Sequence, residues 1–133
     1  MTARPVVGVG GVILRDGTVL LVRRGHPPGE GTWSLPGGKV EFGEPLTRAV
    51  VREVLEETCL SVRARSLVEV AELIGDDYHY VVLDYLCELD PPSQQPRAAS
   101  DAAELSWVPI EELAARGATD AVIRVVRRAA ALH

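Results

Sequence analysis

The residues best suited to chemistry are three glutamates on one short segment. Arg52-Glu53-Val54-Leu55-Glu56-Glu57 sets Glu57 four positions after Glu53 and Glu56 three after it. On a helix turning about 100° per residue, all three fall within an arc of about 100°. Like charges at that spacing destabilise a helix by about 0.2–0.5 kcal/mol per pair. A sequence selected only for stability would place Lys or Arg among them. Converging carboxylates make a hard-oxygen site that suits Mg²⁺, which keeps several of its waters. Mg²⁺ in turn holds phosphate oxygens and acidifies a bound water, and phosphoryl transfer needs mainly charge neutralisation and in-line positioning. The pattern therefore suggests metal-assisted hydrolysis of a phosphoanhydride. A solvated acidic helix face has the same composition. It does not account for the apolar face beside the stripe, nor for the glycine-rich loop that leads into it.

The elements around this segment must position it. Leu46, Val50 and Val54 recur every fourth residue and give the helix a buried face. Glu44-Pro45 is expected to open it, with Pro at the first helical position, where its missing N–H costs nothing. The helix should run to Glu57 or Thr58. Upstream, Val6 to Leu14 reads as a strand, Asp16-Gly17 as a hairpin turn and Val19 to Val22 as the return strand. His26 to Gly38 reads as a Gly- and Pro-rich loop interrupted by Trp33 and Leu35, and Lys39-Val40-Glu41 as a short strand. Downstream, Ser61 to Ile74 reads as one strand or two, Gly75-Asp76-Asp77 as a turn, and Tyr78 to Leu89 as a long strand rich in Val and Tyr. Asp90 to Ser100 is expected to be a mobile loop. Ser106-Trp107-Val108 should be a short strand and Pro109 to Ala115 one or two helical turns. Asp120 should cap a last helix whose Val122, Ile123 and Val126 face the core, with Arg124, Arg127 and Arg128 complementing its C-terminal dipole. Hairpin-linked strands with few helices predict an α+β fold, a mixed β-sheet sandwiched between α-helices.

A chain of 133 residues, 47% hydrophobic and 25% charged, fits one folded domain over residues 1–133 and not a disordered segment. Acids outnumber bases 19 to 14, so the basic footprint of a nucleic-acid binder is missing. No apolar run approaches the about 20 residues of a membrane helix, and Met1-Thr2-Ala3-Arg4-Pro5 lacks a signal-peptide pattern. Cys59 and Cys87, with no CxxC spacing, exclude a disulfide framework and make a cytoplasmic address the default. Gly8-Val9-Gly10-Gly11 fails the dinucleotide-binding spacing, because the third glycine would fall on Ile13. Gly37-Gly38-Lys39 is followed by Val40, where a phosphate loop needs Ser or Thr. His26, His79 and His133 are scattered without metal-ligand spacing.

The run Gly38-x5-Glu44-x7-Arg52-Glu53-Val54-x-Glu56-Glu57-x-Cys59-Leu60 resembles the Nudix box, G-x5-E-x7-R-E-U-x-E-E-x-G-U with U aliphatic. Every fixed position matches except the last glycine, here Cys59. The approach Trp33-Ser34-Leu35-Pro36-Gly37-Gly38 and the Val40-Glu41-x-Gly43-Glu44 segment are also similar to that family, and the whole chain fits one Nudix domain. The resemblance implies the Nudix fold and hydrolysis of a nucleoside diphosphate linked to another moiety, with Mg²⁺ or Mn²⁺ as cofactor. It implies Glu53, Glu56 and Glu57 as metal ligands, completed by the backbone carbonyl of Gly37 or Gly38. The general base varies within the family; Glu53, Asp101 and Glu104 are the candidates here. Arg52 and Glu44 are expected to brace the loop against the helix. Ala49, one turn before Glu53, should leave room for the loop or the metal.

Lys39, Arg23 and Arg24 are candidates to steady substrate charge. Trp33, Tyr78, Tyr80 and Tyr85 are candidates to stack on a base, with the 90–100 loop as a lid. Cys59 stands where a glycine would form a left-handed helix cap, so the helix either bears that strain or ends differently. The Arg23-Arg24 segment, the Gly31 to Gly38 run and the Asp101 to Trp107 segment look similar to small ADP-ribose pyrophosphatase-like and MutT-like members. An ADP-ribose-like nucleotide sugar is the favoured substrate, and a nucleoside triphosphate, including an oxidised purine form, is the alternative. A Nudix module that senses a nucleotide without cleaving it is the alternative of another class. The expected partner is a small nucleotide, with no nucleic acid and no membrane, and the expected state is monomer or homodimer.

Overall fold

The computed structural model describes residues 3–25, 31–99 and 102–133 of the chain. His26 and Asp101 lie outside them. Strand β1 (Val6–Arg15) is the axis of the fold. Its first half is flanked by β4 (Gly37–Lys39) in antiparallel register, Gly8 opposite Lys39 and Gly10 opposite Gly37. On its other side runs β6 (His79–Leu89), in parallel from Val6–Tyr80 to Ile13–Cys87. The end of β1 turns through Asp16 (φ 52°) and Gly17 (φ 76°) into β2 (Thr18–Arg24). Two successive positive φ values give the hairpin turn that the Asp-Gly pair predicts. β2 carries β3 (Trp33–Ser34) on one edge and β7 (Ala102–Pro109) along the other. β5 (Val62–Ile74) pairs with β6 and forms the outer edge. One parallel pair among antiparallel ones makes the sheet mixed.

Alternation along these strands splits the core between two helices. Val9 and Ile13 of β1, Leu20 of β2, and Tyr85, Cys87 and Leu89 of β6 pack beneath α1 (Leu46–Thr58), against Ala49, Val50 and Val54. Val12, Val19, Leu21, Leu86 and Val108 face the other way, against Val125, Val126 and Ala129 of α2 (Asp120–Leu132). The sheet is thus sandwiched, as the α+β reading predicts. Among the described residues no helix is long and apolar enough to cross a membrane.

Several boundaries differ from the sequence reading, each for a local reason. The short strand near residue 40 is Gly37–Lys39 instead of Lys39-Val40-Glu41, because only glycine lets the backbone lie this close to β1. A Cβ on Gly37 would overlap the Val9 carbonyl. Pro45 is the N-cap, its carbonyl accepting from the Arg48 and Ala49 N–H groups, so α1 starts one residue later than expected. The strand expected over Ser106–Val108 extends over Ala102–Pro109 because it pairs with β2 from Thr18 to Arg24. Of the one or two helical turns expected after it, one forms, a 3₁₀ turn at Ile110–Glu112. Thr119, not Asp120, caps α2, its hydroxyl accepting from Val122 N at 3.2 Å. The last turn of α2 holds no basic residue; Arg124 and Arg128 point back to Glu69 on β5.

Residues 94–99 of the segment expected to be a mobile lid are hydrogen-bonded to the end of α1 and to Ser61. Gln94 accepts from the Ser61 N–H at 2.7 Å and donates to the Ser61 carbonyl at 2.8 Å. Arg97 N and Ala99 N donate to the carbonyls of Thr58 and Glu57 at the end of α1.

Candidate metal and active site

The end of α1 sets the frame. Cys59 takes the left-handed conformation (φ 62°) that the family's glycine would supply, and its N–H reaches the Leu55 carbonyl at 3.0 Å. The helix bears the strain, on the order of 1 kcal/mol, instead of ending differently. Thr58 helps close the end: its buried hydroxyl donates to the Val54 carbonyl at 2.7 Å and accepts from Leu60 N at 3.2 Å.

Two of the three glutamates meet the glycine strand. Glu57 Oε1 accepts the Gly37 N–H at 2.8 Å. Glu53 lies against Gly38 so closely that a Cβ there would overlap its carboxylate. The missing side chains of Gly37 and Gly38 are what let backbone and carboxylates share this space. Glu53 is mostly shielded (14% exposed) and Glu56 is not (48%). Burial raises the Glu53 carboxyl above its ordinary range, against the pull of the Arg52 charge.

Arg52 gathers the remaining acids. Its Nε and Nη2 form a fork on Glu44 at 2.6 and 2.9 Å, and Nη2 also donates to the Lys39 carbonyl at 3.0 Å. Nη1 reaches Glu53 at 3.3 Å and Glu56 at 3.2 Å. The Glu41 N–H completes the brace on Glu44 Oε1 at 3.0 Å. These bonds, that from Arg52 first, lower the Glu44 pKa to about 2, and Glu44 in turn raises that of Arg52. The loop between β4 and α1 is thereby tied to the helix. Ala49 is fully buried in the core beneath α1.

The donor set is hard oxygen throughout, and Glu53 and Glu57 border one glycine strand, which suits Mg²⁺ or Mn²⁺. Among the described residues, no three His, Cys, Asp or Glu side chains already surround one point as metal ligands. Arg52 holds Glu56 and shares Glu53, and Gly37 engages Glu57.

The substrate candidates separate. Arg24, Lys39 and Tyr80 come together with Gly8, Gly37 and Gly38 around a cavity of about 590 Å³. Trp33 lines an adjoining cavity of about 370 Å³ under α2, and Ser34, Leu73 and Val82 belong to both. Arg23 and Glu104 instead pair with each other at 2.7 Å across β2 and β7. Tyr85 is buried in the core beneath α1, so it is not a stacking surface. Tyr78 stacks at 5.8 Å on Tyr80. Sequence reasoning missed Asp84, a buried acid on β6 in the wall of the Trp33 cavity. The signal available was a single acid inside an apolar strand.

The NUDIX domain model matches residues 4–129. The chain belongs to the Nudix family. An ADP-ribose pyrophosphatase of Methanocaldococcus jannaschii is 37% identical over 109 residues, covering 82% of this chain and 64% of that protein. A putative 8-oxo-dGTP diphosphatase 2 of Mycobacterium tuberculosis is 34% identical over 77% of this chain and 80% of its own length. The crystal structure of a MutT NUDIX hydrolase from Burkholderia pseudomallei superposes with a TM-score of 0.84 at 34% identity, over 95% of this chain and 98% of that one. The mixed sheet between two helices is the Nudix fold.

Proposed function

We propose that this Nudix domain hydrolyses a pyrophosphate bond in a nucleoside diphosphate linked to another moiety, with Mg²⁺ as cofactor and Mn²⁺ as a substitute. The observation that carries this reading is the pairing of Glu53 and Glu57 with Gly37 and Gly38, two glycines that also line the cavity bounded by Arg24, Lys39 and Tyr80. Glu53, Glu56 and Glu57, with a carbonyl of Gly37 or Gly38, would hold the cation. A cation held there would supply charge neutralisation at phosphate oxygens and a lowered pKa for a coordinated water. Arg52 holds Glu44 ionised and fixes the β4–α1 loop through Glu44 and the Lys39 carbonyl. Lys39 and Arg24 supply positive charge on the cavity wall for the phosphates. Glu53, raised by burial, is the base candidate within the helix, and Asp101, outside the described residues, is the candidate beyond it. Glu104 is the weaker one, because Arg23 already occupies it.

A nucleotide sugar such as ADP-ribose is the first substrate to try, on the likeness to the archaeal pyrophosphatase. A nucleoside triphosphate, including an oxidised purine form, is the second, on the likeness to the mycobacterial protein. Chromatography of products after incubation with Mg²⁺ separates them. AMP plus ribose phosphate supports the first reading. A nucleoside monophosphate plus pyrophosphate supports the second. Binding without turnover would overturn both in favour of a sensing module.

A further inference from the structure

The sheet carries one acid that the site above does not use. Asp84 stands in the middle of β6 and is 6% exposed. Its strand neighbours Leu83 and Tyr85 belong to the α1 side of the core, and Asp84 faces the α2 side. Across the register it meets Gly10 on β1 and Glu69 on β5. A Cβ on Gly10 would overlap Asp84 Oδ1, so that glycine makes room for the carboxylate. Glu69 is another acid, and Arg124 and Arg128 of α2 already hold it at 2.9 and 3.0 Å. Among the described residues no hydrogen-bond donor meets the Asp84 carboxylate, and burial, with Glu69 second, raises its pKa to about 6. An unpartnered buried carboxylate costs stability. A chain selected for packing alone would set Val or Leu there.

Asp84 lies in the wall of the 370 Å³ cavity, which is otherwise lined mainly by Trp33, Leu35, Val82, Val122 and Val125. Thr32, Ser34 and Thr119 also line it, and Asp84 is its one charged residue among the described residues; a charged group set in a mostly apolar wall orients a ligand through that group. The cavity joins the one at Gly37 and Gly38 through Ser34, Leu73 and Val82. A substrate whose phosphates lie at the glycines extends its far end here.

We propose that Asp84 reads the base of the nucleotide, its carboxylate accepting the two adjacent N–H donors of a guanine-type edge while Trp33 and the apolar walls take the ring. The inference rests on the hydrolase reading for the position of the phosphates and leaves the second moiety open. A guanine edge offers a ring N–H beside a 2-amino group, which matches the two oxygens of a carboxylate. An adenine edge offers one amine beside a ring-nitrogen lone pair, and that lone pair would face a carboxylate oxygen. A site built to accept a donor rejects an analogue that lacks it. Guanine nucleotides therefore outrun their adenine counterparts, ADP-ribose included.

The test compares GTP with ATP, and the GDP- and ADP-linked forms of one sugar, in the wild type, Asp84→Asn and Asp84→Leu. The wild type should prefer guanine by about 10-fold or more in kcat/KM. Asp84→Asn, which offers one donor and one acceptor, should reverse the preference through KM with little change in kcat. Asp84→Leu should abolish discrimination while folding at least as stably. Equal use of both bases by the wild type, or an equal loss for both in Asp84→Asn, would overturn the proposal. Should nothing be cleaved, the hydrolase reading fails separately. GMP binding more tightly than AMP in metal-free calorimetry would then still support Asp84 as the reader, and equal or no binding would overturn it.

Discussion

Arginine and glutamate meet on both faces of the sheet, in opposite proportion. On α1 a single arginine, Arg52, serves Glu44, Glu53 and Glu56 within 3.3 Å, and Glu57 stands one turn on from Glu53. On α2 two arginines, Arg124 and Arg128, serve the one carboxylate of Glu69. The first network has more acid than its base can neutralise, and the excess lies beside glycines and a cavity. The second has more base than acid, draws its two arginines from the surface, and ties α2 to the sheet. Fold stability alone explains the second. The first is the network that the proposed cation would complete.

Breaking the first network should cost activity far more than stability. Glu57→Gln removes one charge from the cation site, and turnover should fall by about 10²–10⁴. Steady-state kinetics with Mg²⁺ in excess measures this, and near-normal turnover would remove Glu57 from the site. Next in size, Gly38→Ala drives a methyl group into the Glu53 carboxylate. Metal affinity, followed by calorimetry with Mn²⁺, should weaken by about 10-fold or more. Unchanged affinity would mean that Glu53 is not held by β4.

The Asp84 carboxylate sharpens the contrast through pH. Its folded pKa of about 6 lies above the ordinary 3.8. The unfolded chain therefore loses this proton first. The stability held by protonated Asp84 is full below about pH 4 and lost as pH rises through about 6. Glu69 on β5 faces it, and Arg124 and Arg128 face Glu69 from α2. Asp84→Asn should stabilise the protein by about 1–3 kcal/mol near pH 8 and by little near pH 4. Urea melts at the two pH values test the sign. Smallest of all, Arg124→Ala removes an exposed arginine and leaves Glu69 bonded to Arg128, so it should cost no more than about 1 kcal/mol, with turnover unchanged. A large fall in activity would undo the division between the two faces.

The spacing of Glu53, Glu56 and Glu57 was legible because a helix converts intervals of three and four into one face without help from the rest of the chain. Asp16-Gly17 was legible for the same reason, since two residues define their own turn. Asp84 was not, because a polar residue in a strand reads as an outward position unless a helix is known to cover that face. The clamp by Gln94 was hidden because its partner Ser61 lies 33 positions away. Arg124 and Arg128 showed their helical spacing but not their partner, Glu69, which is 55 and 59 positions distant. The β4 boundary was missed because the closeness of two backbones, not side-chain preference, decides it at Gly37.

On the proposed reading, the acid-rich face of α1 drives hydrolysis of a pyrophosphate bond. Product chromatography of the wild type with Mg²⁺ and a nucleotide panel tests it most directly. A nucleoside monophosphate is expected from at least one substrate, and none when the metal is chelated. Nucleotide binding with no cleavage at any metal concentration would contradict it.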